Sequence, residues 1–193
     1  MLVRISDYAA GARLTTDLVN TAPAVMVSTG EGLPDPDGLL AFLADRDVYP
    51  DALAAGRRPT DTDVVAVREL RTLLRVIVDE PDAERAAIRA GALTAATGVG
   101  PQLRRDGSRW HWFTASRPGA GLADELALLA ATGLLGVVRT LGSDRLRQCA
   151  APTCAGAFVD TSRAGRRRYC EPEVCGSRVN VANFRARRRD QTG

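Results

Sequence analysis

The sequence predicts an α+β fold, mainly α, in two parts: a helical N-terminal domain with one β-hairpin, then a small four-cysteine module ending in a basic helix. Three observations predict it. Apolar residues recur at helical spacing over most of the first 143 positions, with one change of period between Gly98 and Ala115. All four cysteines fall between Cys149 and Cys175. Charge divides at the same place. Residues 1–144 hold 15 Arg against 19 acids, −4, and residues 145–193 hold 11 Arg against four acids, +7, which together give the formal +3.

Taken in order, the first 33 residues are weakly patterned, with Asp17-Leu18-Val19-Asn20-Thr21 at the end of a short helix. Asp35-Pro36-Asp37 starts a helix through Leu39, Leu40 and Leu43, because carboxylates there accept free backbone N–H groups. From Asp63, Val64, Val67, Leu70, Leu73, Leu74, Ile77 and Val78 form one helical face, with Arg68, Arg71 and Arg75 on another. Pro81-Asp82 ends that helix and opens the next, which runs through Ile88 towards Leu93. Asp106-Gly107 is a hairpin-turn signal between Pro101–Arg105 and Ser108–Ala115, the latter rich in β-favouring residues. Gly119 and Gly121 precede a long apolar helix, Leu122 to Leu141, in which Gly133 and Gly136 let a neighbour pack closely. Gly142-Ser143-Asp144 ends it, so the expected domains are 1–143 and 144–193.

Hydrophobic residues make up 45% and charged residues 25% of the 193, enough apolar material for an N-terminal core that needs no metal. The N-terminus lacks an apolar secretory region, and the stretch Leu126–Val138 is too short to span a bilayer. The expectation is a cytoplasmic protein without a membrane partner, whose cysteines are reduced. All 26 basic residues are Arg, as a GC-rich genome would favour, so Arg over Lys says nothing about phosphate or guanine contacts.

Cys149-x4-Cys154-x15-Cys170-x4-Cys175 is two close pairs on tight turns, bent by Pro152 and Pro172. That spacing suits four thiolates about 2.3 Å from one zinc ion. Two disulfides also suit the even count, but the missing secretory signal argues against them; an iron–sulfur cluster is the remaining alternative. Four thiolates close the coordination shell, so the zinc is structural, and Arg147, Arg166, Arg168 and Arg178 can offset its formal charge of −2. With few large apolar groups, the module depends on that metal to fold.

After Cys175 no breaker follows Gly176 before Arg189. On a helix Arg178, Ala182, Arg185 and Arg189 share a stripe and Asn180, Asn183 and Arg187 another side, with Val181 and Phe184 expected to pack on the module. Arg and Asn on such a helix can pair with guanine and adenine in a major groove. The candidate nucleic-acid contacts are Arg163, Arg166, Arg167, Arg168, Asn180, Arg185, Arg187, Arg188 and Arg189, while Arg178 braces the thiolates. The plainer reading is a solvated, solubilising helix.

These residues resemble the CGNR zinc-finger family: Cys149 and Cys154, Tyr169-Cys170, Cys175-Gly176-Ser177-Arg178, then a basic helix with Phe184-Arg185-Ala186-Arg187. Ser177 stands where the family signature has Asn. The N-terminal part is similar to the stress-induced transcription-regulator (ABATE-type) domain that accompanies this finger, in Asp17-Leu18-Val19-Asn20-Thr21, Arg68-Glu69-Leu70-Arg71 and the Trp110–Trp112 hairpin. The resemblance implies bacterial transcription regulation, in a stress response, with zinc-dependent DNA binding.

In the hairpin Trp110 and Trp112 share one side and His111 and Phe113 the other, one pair expected in the core and one partly exposed. His111 is the lone histidine, and neither a phosphate loop nor a nucleophile elbow occurs, so no catalytic role is expected. The expected function is transcription regulation through DNA contacts of the basic module. The N-terminal domain would sense a signal, with a small-molecule ligand as one option, or form a homodimer. The rival is a protein-interaction adaptor whose zinc module binds an acidic partner.

Overall fold

The computed structural model describes residues 1–26 and 30–190, the side chains of 186, 189 and 190 excepted. Its elements are β1 (Leu2–Arg4), α1 (Tyr8–Val19), α2 (Pro36–Ala44), α3 (Asp61–Val78), α4 (Ala83–Thr97), β2 (Gly98–Asp106), β3 (Arg109–Ser116), α5 (Leu122–Leu141), β4 (Leu146–Gln148), β5 (Ala157–Val159) and α6 (Ser177–Asp190). The fold is α+β and mainly α, as the sequence predicts.

Local chemistry sets the helix starts. Asp35 accepts from the backbone N–H of Gly38 at 2.8 Å, with Pro36 in the first turn. Thr60 and Asp63 cap α3 reciprocally, and Asp82 accepts from the N–H of Arg85 to start α4. Helix α5 is the hub: Leu122, Leu126, Ala130, Leu134 and Val137 are fully buried, and α1, α3 and α4 all pack on it. Helices α1 and α5 touch through glycine. A methyl group built on Gly11 would lie 2.1 Å from the carbonyl oxygen of Leu129, and one on Gly133 2.6 Å from Gly11.

β2 and β3 form the hairpin, and β1 adds antiparallel to β3 in the order β1-β3-β2. β1 is three residues long, too short for alternation to reveal it. Neither aromatic pair of the hairpin enters the core, contrary to expectation: Trp110 and Trp112 are 63% and 55% exposed, and His111 and Phe113 are half-buried. The reason is that the strands run on beyond the helices, so only Val3 and Thr114 near their base are covered. Among the described residues no helix is long and apolar enough to cross a membrane.

One buried ion pair closes the loop after α1. Arg71, 8% exposed, donates to both Glu31 carboxylate oxygens at 2.6 and 2.9 Å and to Thr21 Oγ1 at 3.0 Å. Arg68 donates to the Leu33 carbonyl beside it. The Arg71 guanidinium holds the Glu31 carboxyl below its ordinary 4.5, against the opposing effect of burial and with help from the Leu33 N–H. A lowered folded value means the pair stabilises above the unfolded value and is lost as pH falls through the folded one. Arg71→Met should therefore cost about 2 kcal/mol in urea unfolding at neutral pH, because it removes the paired hydrogen bonds and leaves Glu31 with Arg68, at 3.8 Å, as its counter-charge. The cost should shrink as pH falls through the folded value of Glu31, where its carboxylate gains a proton and the pair is lost.

Candidate metal centre

The centre is built from two turns. Strands β4 and β5 pair antiparallel, Leu146 with Val159 and Gln148 with Ala157, and the loop joining them carries Cys149 and Cys154. The Cys149 N–H donates to the Gly156 carbonyl at 2.8 Å and that of Cys154 to Ala151 at 3.0 Å, which curls the loop. Cys170 precedes and Cys175 lies within a single turn, Pro172–Gly176, closed by the Cys175 N–H on the Glu171 carbonyl. The Ala150 N–H reaches the Arg168 carbonyl and so draws the two turns together.

The four sulfurs lie within 4.8 Å of one another. Three of the separations are 3.6 Å for Cys154–Cys170, 3.7 Å for Cys170–Cys175 and 3.7 Å for Cys175–Cys154. A tetrahedron with metal–sulfur bonds of about 2.3 Å has edges of about 3.8 Å, so the donor set fits zinc. The same separations are far too long for a disulfide, and all four cysteines are free. Gly156 leaves the space: a methyl group there would sit 2.6 Å from Cys170 Sγ and 3.1 Å from Cys154 Sγ.

Without a cation the cluster resists ionising together. Burial, then the sulfurs of Cys154 and Cys149, push the Cys170 thiol far above the usual range, and burial with Cys154 pushes Cys175 up to about 11. Burial acts on Cys149 too, but backbone hydrogen bonds at Ala151 and Cys170 outweigh it and lower its value. Bound zinc would supply the charge that lets all four be thiolates.

The arginines expected to offset that charge do other work. None of Arg147, Arg166, Arg168 and Arg178 donates to a sulfur among the described residues. Arg147 donates to the carboxylate of fully buried Asp160 and to the carbonyls of Gly165 and Arg167. Arg178 is exposed, and the N–H of Gly156 donates to Cys154 Sγ at 3.3 Å instead. Arg167, grouped in the sequence with the nucleic-acid contacts, turns inward. It lies over the Phe158 ring, donates to the carbonyls of Tyr169 and Cys170, and its own N–H reaches Asp160.

Arg163, Arg166 and Arg168 are exposed on the loop between β5 and Cys170, with Arg168 over the Tyr169 ring. Asn180, Arg185, Arg187 and Arg188 are exposed along α6; the Arg189 side chain lies outside the described residues. Val181 and Phe184 do not pack on the module as expected. They are 48% and 54% exposed, because they lie on the side of α6 opposite Val179, the one described hydrophobic side chain of the helix packed against the cysteine cluster.

Sequence reasoning missed how the module docks. In β5 the alternating faces are divided: Ala157 and Val159 belong to the core of the helical body, while Phe158 between them packs with Cys170 and Cys175. The exposed edge of this strand is bonded by α1. Asn20 donates to the Ala157 carbonyl at 2.7 Å and accepts from its N–H at 3.0 Å, and Thr16 Oγ1 accepts from the Val159 N–H at 2.9 Å. Arg75 of α3 adds a bond to the Ala155 carbonyl. Thr16 and Asn20 are four apart, hence on one helix face; that spacing was the available signal. The whole run 17–21 is thereby explained: Asp17 pairs with Arg46, Leu18 and Val19 fill the core, Asn20 holds β5, and Thr21 receives Arg71.

The family described as CGNR zinc finger matches residues 145–188. The family described as "Putative stress-induced transcription regulator" (ABATE) matches residues 12–161. A search of curated proteins found no match.

Asn20→Leu keeps the size of the side chain and removes both bonds to Ala157. It should loosen β5 by about 2 kcal/mol, or ~30-fold in amide exchange at Ala157 and Val159, leaving α5 unchanged. Exchange measured by mass spectrometry checks this, and unchanged rates at β5 would remove Asn20 from the junction.

Proposed function

We propose, for a chain that belongs to the stress-induced transcription-regulator (ABATE) family and ends in a CGNR zinc finger, that it regulates transcription by binding DNA through α6 and the adjoining loop. One structural zinc ion, held by Cys149, Cys154, Cys170 and Cys175, would order the module of residues 144–193. The observation that carries the reading is the state of α6. Among the described hydrophobic side chains of this 14-residue helix, Val179 is the one packed on the module, yet the helix presents Asn180, Arg185, Arg187 and Arg188 to solvent. A helix of that length with so little packing is marginal in water, and a partner that covers it completes its folding. At about 21 Å it suits the major groove, where Arg reads guanine and Asn reads adenine.

Arg163, Arg166 and Arg168 would meet phosphate from the loop, and Arg167 would support them by fixing the loop on Phe158. Docking of β5 against α1 gives the helical body, residues 1–143, a route by which a sensed signal changes the finger. On this reading the protein works in the cytoplasm and is not an enzyme. An adaptor for an acidic protein is the competing reading of the same basic helix.

The test is fluorescence anisotropy of zinc-loaded protein on labelled duplex fragments across a salt series. The logarithm of affinity should fall with that of salt by roughly 0.9 per neutralised phosphate. Arg185→Ala, Arg187→Ala and Arg188→Ala should each reduce the slope by about one. Absence of binding at low salt, with the zinc in place, would leave the adaptor reading.

A further inference from the structure

The exposed tryptophans lie on the core side of their ribbon. In the β2–β3 pairing Leu103 stands opposite Trp112 and Arg105 opposite Trp110, and opposed residues share a face. Two positions further along β3 on that face, Thr114 is buried, as is its partner Val3 of β1. The face that packs on the helical body at its base therefore continues past the end of that body. There it presents Ile5, Leu103, Trp110 and Trp112 at 37%, 48%, 63% and 55% exposure. Together they expose roughly 400 Å2, within the size of the largest apolar patch of a typical monomer, which is often an interaction site.

A second apolar face is unpartnered on α3. Val65, Glu69, Thr72, Leu73 and Val76 lie opposite the buried stripe of Val67, Leu70 and Leu74, and Val65, Leu73 and Val76 are about half exposed. The charges of the two faces are complementary: Arg105 is the charged residue among those on the arm's face, and Glu69 is the charged residue among those on the α3 face.

We propose that the β2–β3 hairpin is a self-association arm that lays its tryptophan face on the outer face of α3 in a second copy of this chain. In a two-fold dimer each copy gives one arm and receives one, so both patches are covered twice. That removes roughly 1,200 Å2 or more from water, the lower bound of a stable interface. The aliphatic members decide against a nucleic acid as occupant: Ile5 and Leu103 offer no stacking surface, but they fit a helix face, as Val3 and Thr114 do at the base. Glu69, which makes no ion pair within its own chain among the described residues, would face the arm's Arg105. The inference is independent of DNA binding by α6.

Trp110 and Trp112 are the chain's two tryptophans, so intrinsic emission reports this patch alone. Sedimentation velocity of the full zinc-loaded chain should show a dimer at micromolar concentration. Tryptophan emission should shift to the red on dilution through the dissociation range. Trp110→Ala/Trp112→Ala and, separately, Leu73→Glu should each weaken the dimer at least ~30-fold by sedimentation, with circular dichroism unchanged since all three residues are exposed. A monomer at all concentrations, or a dimer indifferent to both variants, overturns the proposal. So does emission that ignores concentration but is quenched by DNA, which would give the arm to nucleic acid.

Discussion

Four sulfurs held within 4.8 Å of one another need a cation among them, and the C-terminal part of the chain is organised around that need. Burial and mutual proximity oppose ionisation of Cys170 and Cys175, so the cluster as thiolates exists only with a charge to balance it. The apolar groups of the module are few: Phe158 and Ala151 are buried, with Tyr169 and Val179 partly covered. A core so small gives little stability from burial alone. Metal coordination would take the place of the missing core, and the loop hydrogen bonds of the module hold the two turns around the four sulfurs. Asp160 illustrates this: buried completely, it receives Arg147, Ser162 and the N–H of Arg167, which together shape the loop leading to Cys170.

The same centre is attached to the helical body through one short strand. β5 turns Phe158 to the cysteines and Ala157 and Val159 to the body, while Thr16 and Asn20 occupy its edge as a neighbouring strand would. A change in α1 is thus felt by the turn bearing Cys154, two residues from Gly156 and in contact with it. Between α1, α2 and the module lies a cleft of ≈ 840 Å3, lined among others by Asn20, Phe42, Arg46, Cys154 and Arg178. Among the described hydrophobic side chains of α6, Val179 is the one packed on the module. The molecule therefore joins a helical body, a cysteine-bearing turn and the exposed helix α6 in series.

Much of this was legible in the residues. The cysteine spacing identified the centre, and α5 runs from Leu122 to Leu141 as its apolar period predicts, because long buried helices leave strong periodic signals. The hairpin was legible from Asp106-Gly107. Three-residue strands were not, since β1, β4 and β5 are too short to show alternation. Asn20 read only as part of the end of a short helix because a sequence shows local partners but not one 137 residues away. Arg167 was indistinguishable from Arg166 and Arg168 for the same reason: its job depends on Phe158 and Asp160, which only folding brings beneath it. Val181 and Phe184 were assigned to packing on their chemistry, yet they remain at the surface of α6.

The measurement that bears most directly on the account is native mass spectrometry of the full chain, paired with a count of reactive thiols before and after chelation. The account predicts one zinc per chain, with four thiols that react only once the metal is removed. A metal-free chain that keeps its fold with two disulfides would contradict it.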